Sequence, residues 1–335
     1  MTDSGQLIEA MDHRVQRREA RREFFKSAFG VGALAVGGVA ALNFSSRAGA
    51  QTALTDVDIL NFALNLEYLE AQFYSYAANG VGLAANLQTG VTTTGAQGAV
   101  QIGSGATQAR RVPFTDRAVA AYAREIAADE IAHVSFLRSA SALGNAAVAQ
   151  PAINIAGGAG SAFAAAATAA SIPGGSTFDP YANDDNFLLG AYIFEDVGVT
   201  AYKGASPLIT NKIFLEAAAG ILAVEAYHAA TVRTTLYARG VAAPDLRTFA
   251  DGISNARDTL DGSMDLDQGI SPLTRTGATA AESNIVPLDP NGLAYSRSPG
   301  QVLNIVYLTR AAATMGGFFP SGVNGNAALR ASTAN

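Results

Sequence analysis

Glu130-Ile131-Ala132-His133 and Glu225-Ala226-Tyr227-His228 decide the reading of this 335-residue chain. Only three histidines occur, and beyond residue 50 these two are the whole supply. Each follows a glutamate by three residues. On a helix that spacing separates two side chains by about 60° and about 4.5 Å of rise, so both can face one target. Upstream of each motif stands another glutamate, followed seven residues later by a tyrosine: Glu67…Tyr74 and Glu195…Tyr202. Residues seven apart lie nearly in line, two turns away. The chain order is therefore Glu, Glu-x-x-His, Glu, Glu-x-x-His. Four carboxylates and two imidazoles in that order are the donors a two-metal site needs inside four helices.

The expected roles follow from the inventory. Glu67 and Glu195 are terminal ligands, Glu130 and Glu225 bridge, and His133 and His228 are terminal nitrogens. Without cations, four carboxylates in an apolar bundle repel one another and lose hydration. Two divalent ions cancel the four charges. Oxygen donors with imidazole suit iron or manganese, and zinc fits less well. Tyr74 and Tyr202, one layer from Glu67 and Glu195, are the candidate catalytic side chains beside the ligands. A lone Glu-x-x-His is commonplace on exposed helices; two that use every histidine outside the first 50 residues are not. Several neighbours carry two readings. Glu70 is an extra ligand or outer partner, or it belongs to a solvated face. Gly198, at the same place in the second half, eases helix packing or opens space beside the metals. Asp129 and Asp196 orient the histidines or form surface ion pairs, the commoner use. Tyr68 and Tyr227 read as core.

The periodicity predicts an all-α chain. A first helix spans about Asp56 to Asn79, with Thr55 and Asp58 as capping box and Gly80 as stop. A Gly/Thr/Gln-rich insertion follows to Gln108, irregular with a β-like excursion. The second helix starts after Pro113 with Thr115 as cap, runs through Arg138 and stops at Gly144. A long crossover covers Asn145 to Asn183, with a short helix near Ser161 to Ala170. The third helix runs from Asp185 to Tyr202. Ser206 caps the fourth and Pro207 takes its first position, and that helix stops at Gly240. An amphipathic piece follows from Pro244 to Leu260, then surface loop from Asp261 to Arg297, then a last helix opened by Ser298-Pro299. Gly316-Gly317-Phe318-Phe319-Pro320 packs back on the bundle. The architecture is thus a four-helix bundle with a long crossover, an irregular insertion and C-terminal extra helices. The two halves repeat weakly: Glu67 and Tyr74 match Glu195 and Tyr202, while Glu130, His133 and Arg138 match Glu225, His228 and Arg233.

Composition narrows the function classes. There is no cysteine, which excludes disulfides, iron–sulfur clusters and thiol catalysis. Ala20-Arg21-Arg22-Glu23-Phe24-Phe25-Lys26 resembles a twin-arginine export motif; a Gly/Ala/Val stretch and a small-residue site at Ala48-Gly49-Ala50 complete a leader. The other reading of that stretch is an uncleaved anchor. Residues 1–50 hold seven basic and five acidic side chains, so the rest keeps 15 and 23, a formal charge of −8. That surface speaks against nucleic acid as a partner. The expected organisation is a leader at 1–50, the bundle at 51–240 and an extension at 241–335. Export through the twin-arginine translocase implies a periplasmic or secreted protein, with a homo-oligomer left open.

Asn65-Leu66-Glu67-Tyr68-Leu69-Glu70-Ala71-Gln72-Phe73-Tyr74 resembles the ferritin-like domain of desiccation-related proteins. The stretches from Ser298 to Tyr307 and from Gly316 to Gly325 are similar to the end of the same family. The resemblance implies a secreted, ferritin-like protein linked to dehydration stress. Rubrerythrins and manganese catalases share the Glu and Glu-x-x-His order. Two functions compete. One is a di-iron or dimanganese oxidoreductase acting on peroxide or oxygen in stress protection, catalase chemistry fitting a cysteine-free exported chain best. The other is a non-catalytic structural, desiccation-protective protein whose metals only staple the bundle. One site per chain argues against metal sequestration.

Overall fold

Thr55 opens the first bundle helix. Its hydroxyl accepts from the Asp58 amide while the Asp58 carboxylate accepts from the Thr55 amide. Helix α1 then runs Asp56–Asn79 and ends on Gly80, whose φ of 79° is the left-handed cap that glycine adopts freely. The computed structural model describes residues 53–92, 97–274 and 279–335. The expected leader lies outside the described residues.

The insertion after α1 is fastened to the crossover. Its strand β1 (Val100–Gln101) pairs in parallel with β2 (Ile153–Asn154), and Val91 bridges Val148. Helix α2 spans Arg117–Arg138. Its cap is Asp116, which accepts from the Ala118 and Val119 amides, and not Thr115. Thr115 donates instead to Asp184 at 2.5 Å. The helix ends at Ser139, short of the expected Gly144. The crossover forms α3 (Ala162–Ala169) with Ser161 as cap.

The expected third helix is two helices, α4 (Asp184–Tyr192) and α5 (Glu195–Ala205). The chain turns at Ile193 and Phe194, so Glu195 begins α5. Ser206–Leu208 is a separate 3-10 turn, and the long helix α6, Lys212–Ala242, is capped by Asn211. The Asp56 carboxylate holds the Thr210 and Asn211 amides at 2.8 Å, which places this cap. Gly240 does not stop α6. It sits inside the last turn, where a Cβ would overlap the Arg247 side chain, so the glycine lets the next helix approach. Helix α6 is long and apolar enough to cross a bilayer, yet it buries Glu225, His228 and Arg233 against the bundle. Helices α7 (Asp245–Asp261) and α8 (Pro299–Val306) follow, the latter with a Ser298/Gln301 capping box.

The segment between α7 and α8 is more than surface loop. Asp267, Ile270, Asn284 and Arg297 are buried in it. Its Asp267 and Arg297 join a chain in which three arginines and three aspartates alternate, the others coming from α5, α6 and α7. Arg233 meets Asp196 at 2.8 Å, Arg257 meets Asp196 at 2.8 Å and Asp267 at 2.6 Å, and Arg297 meets Asp267 at 3.0 Å and Asp261 at 2.6 Å. The chain of charges balances itself, which is what buried ions require. On the other side, Phe73, Phe163, Phe194 and Phe318 form one aromatic cluster with centroids 4.9–5.7 Å apart. Phe318 and Phe319 are fully buried, Phe318 against the rings of Phe163 and Phe194.

Candidate metal centre

Helices α1, α2, α5 and α6 each bring one layer of polar side chains to the middle of an apolar interior. Glu67, Glu130, Glu195 and Glu225 are buried, with His133 and His228 beside them. Donor atoms of Glu67, Glu130, His133 and Glu225 lie within 4.8 Å of one another, and so do those of Glu195, Glu225 and His228. The six side chains expected from the sequence therefore converge, and Glu225 belongs to both groups.

Each imidazole points Nδ1 inward. His133 Nδ1 lies 3.2 Å from Glu67 Oε2, 3.6 Å from Glu130 Oε2 and 3.9 Å from Glu225 Oε1. His228 Nδ1 lies 3.1 Å from Glu130 Oε1 and 3.6 Å from Glu195 Oε2. Glu130 thus offers one oxygen to each imidazole, the posture of a bridging carboxylate. The ring centroids are 6.3 Å apart.

The tyrosines reach across. Tyr74 donates to Glu195 Oε1 and Tyr202 to Glu67 Oε1, so each hydroxyl serves the other half's glutamate rather than its own. That crossing fixes the outer oxygen of both carboxylates and leaves the inner oxygen facing the cluster. Asp129 Oδ2 lies 3.2 Å from His228 Nε2, within hydrogen-bond reach of the outer ring nitrogen. Asp196 has no such role: it holds Arg233 and Arg257 in the buried charge chain. Tyr68 is core, whereas Tyr227 is 73% exposed on the outer face of α6. Glu70 is buried, which rules out the solvated reading. Gly198 makes room for a neighbour: a Cβ there would overlap the Glu225 carboxylate, which packs against it.

Whether metal ions fit these residues is decided by unmet donors. Both oxygens of Glu130, both of Glu225, Glu195 Oε2 and His228 Nδ1 are buried without a hydrogen-bond partner. Buried polar atoms are ordinarily satisfied. Six orphans turned toward one centre, all hard oxygen or borderline nitrogen, are the donor set of first-row cations. The protonation pattern agrees. Burial, then the charge of Glu130, pushes Glu67 up to about 7. Burial pushes Glu195 up to about 8, and raises Glu225 and Glu70 well above the carboxylate range. Burial opposes ionisation of Glu130 too, but His133 and His228 bring it down to about 2. Burial lowers the imidazoles, and the carboxylates outweigh it: Glu130 and Glu67 raise His133 to about 11, while Glu195 and Glu130 raise His228 to about 9. The metal-free centre stores protons that cations would displace.

Sequence reasoning missed the buried charge chain beside the centre. Arg233 was visible as the repeat partner of Arg138, yet nothing local marked Arg257, Asp267 or Arg297. In the first half Arg138 donates to the Tyr68 hydroxyl and to carbonyls of the insertion.

Comparison with known proteins agrees with this geometry. The chain is 30% identical over 288 residues to the ferritin-like catalase Nec2 of Nesocodon mauritianus, covering 82% of this chain and 85% of that one. It is 32% identical over 259 residues to the desiccation-related protein PCC13-62 of Craterostigma plantagineum, covering 74% and 76%. No solved structure gives a significant match. The family model for the ferritin-like domain matches residues 55–238, the span that holds all six converging side chains, and the chain belongs to the ferritin-like domain family.

Proposed function

We propose that the chain holds two iron or manganese ions and disproportionates peroxide, with Glu67, Glu130, His133, Glu195, Glu225 and His228 as ligands. The observation that carries this reading is the set of six orphaned donor atoms at one buried centre. When bound, a redox-active metal pair supplies a two-electron store, so that two peroxide molecules become two of water and one of dioxygen. No outside reductant is needed, which suits a chain without cysteine.

The residues divide the remaining work. Glu130 spans the two imidazoles and Glu225 belongs to both donor groups, while the Tyr74 and Tyr202 hydroxyls hold Glu195 and Glu67 in place. Tyr74 and Tyr202 keep their protons, because burial and the neighbouring carboxylates raise both well above the usual phenol range. They are therefore positioning donors. Burial, then the charges of Glu130, Glu195 and Glu67, raises Glu70 well above the usual carboxylate range, beside the cluster. Burial of all six ligands excludes bulky electron donors from direct contact with the centre.

Oxygen release from peroxide by the manganese-loaded chain, read with an oxygen electrode, tests the proposal. Evolution that vanishes in Glu130→Gln supports it; a chain with two manganese ions that leaves peroxide untouched ends it. The desiccation-related relative favours a second reading, a protective protein whose metals only staple the bundle. In that case chelation lowers the melting temperature while no oxidant is turned over. Residues 1–50 are read as a leader that sends the protein to the periplasm or outside through the twin-arginine translocase. Replacing Arg21 and Arg22 with lysine should then hold the chain in the cytoplasm.

A further inference from the structure

The two halves supply matching side chains, but among the described residues only one imidazole, that of His228, has a carboxylate on its outer nitrogen. His228 Nδ1 faces Glu130 and Glu195, and its Nε2 meets Asp129 Oδ2 at 3.2 Å. Asp129 comes from α2 and His228 from α6, so the contact clasps two helices across the centre. A carboxylate on the outer nitrogen fixes which nitrogen carries the proton and which faces inward, and makes the inward one a stronger donor. In the repeat, Asp129 precedes Glu130 just as Val224 precedes Glu225. An isopropyl group cannot accept a hydrogen bond, so α6 gives His133 no equivalent partner from that place. The tyrosine contacts, by contrast, are exchanged evenly: Tyr74 serves Glu195 and Tyr202 serves Glu67.

We propose that the two metal positions are unequal and that Asp129 is the positioning residue that makes them so. The position of His228 and Glu195 binds its cation more tightly and fills first; the position of His133 and Glu67 fills second. This rests on the two-metal reading above. Asp129 is partly exposed, its side chain at 43%, so water screens its charge. The effect then comes mainly from holding the ring in its binding orientation.

The test is titration of the metal-stripped full chain with manganese(II), followed by calorimetry and by the electron paramagnetic resonance of free manganese. The wild type is expected to take two ions in two separable steps. Asp129→Asn should weaken the tighter step by about 10- to 100-fold and leave the other in place, so that the steps draw together. Val224→Asp, which offers His133 the missing carboxylate, should strengthen the weaker step. Equal circular-dichroism spectra and melts of the metal-free variants separate this from misfolding. Two indistinguishable steps in the wild type, or a tighter step unmoved in Asp129→Asn, overturn the inequality. A chain that takes up no manganese overturns the two-metal reading itself.

Discussion

The first half of the bundle, Glu67 to His133, and the second, Glu195 to His228, hold the same ligands on different supports. In the first, α1 is one continuous helix and the arginine after the histidine, Arg138, reaches the Tyr68 hydroxyl and the insertion. In the second, the helix breaks at Ile193 and Phe194 so that Glu195 starts α5, and the matching arginine, Arg233, enters a buried chain of ions. Where the first half has Glu70, the second has Gly198, pressed against Glu225. If the two-metal proposal holds, coordination chemistry dictates donor type and spacing, so they stay alike. What lies behind the donors need only hold them still, and two solutions serve.

The sharpest way to break this comparison is to cut each support. Arg233→Ala leaves Asp196 buried with one partner lost, and should cost about 3–5 kcal/mol in urea unfolding of the metal-free chain. Arg138→Ala, at a partly exposed site, should cost about 1 kcal/mol. Equal losses would mean that the two supports are alike after all. Gly198→Ala comes next. Its methyl group must displace Glu225, and overpacking of this kind costs about 1–3 kcal/mol. Metal occupancy should fall below two per chain by elemental analysis, whereas Glu70→Gln, which keeps the shape of a side chain outside the six ligands, should keep it. The tyrosines sharpen the symmetric side. Tyr74→Phe and Tyr202→Phe each remove one hydrogen bond and should each cost about 1 kcal/mol; a clear difference between them would contradict the even crossing.

The smallest signal is a slope with pH. In the metal-free chain Glu67 and Glu195 titrate at about 7 and about 8 against about 4.5 unfolded, and His228 and His133 at about 9 and about 11 against about 6.5. A raised folded value means that the folded state binds more protons, so stability falls as pH rises. The carboxyl groups lose their contribution between about 4.5 and 8, the imidazoles between about 6.5 and 11. Glu130, at about 2, acts the other way and loses its contribution as pH falls below about 4.5. Thermal melts should therefore show metal-free stability from this cluster highest near pH 4.5 and declining above it. Loading with metal should flatten the decline.

Most of the buried Glu/His cluster was legible because it uses rare residues at fixed spacings. Two histidines, each three after a glutamate, leave few arrangements. The first helix was readable to its caps because Thr55, Asp58 and Gly80 act locally. Starts set by distant partners were not. Asn211 caps α6 because Asp56, over 150 residues earlier, holds the turn before it, and Thr115 is drawn away from its helix by Asp184. The break before Glu195 carries no proline or glycine at Ile193 or Phe194 to announce it. Asp261, Asp267 and Arg297 look like loop charges until the fold shows them buried together.

Counting metal in the full chain tests the central claim most directly. The chain, purified and loaded with manganese or iron, should carry two ions by elemental analysis. Glu130→Ala and Glu225→Ala, each removing a carboxylate shared between the positions, should each bring that below one. No bound metal, or two ions retained in both variants, would contradict a pair of cations held by these six side chains.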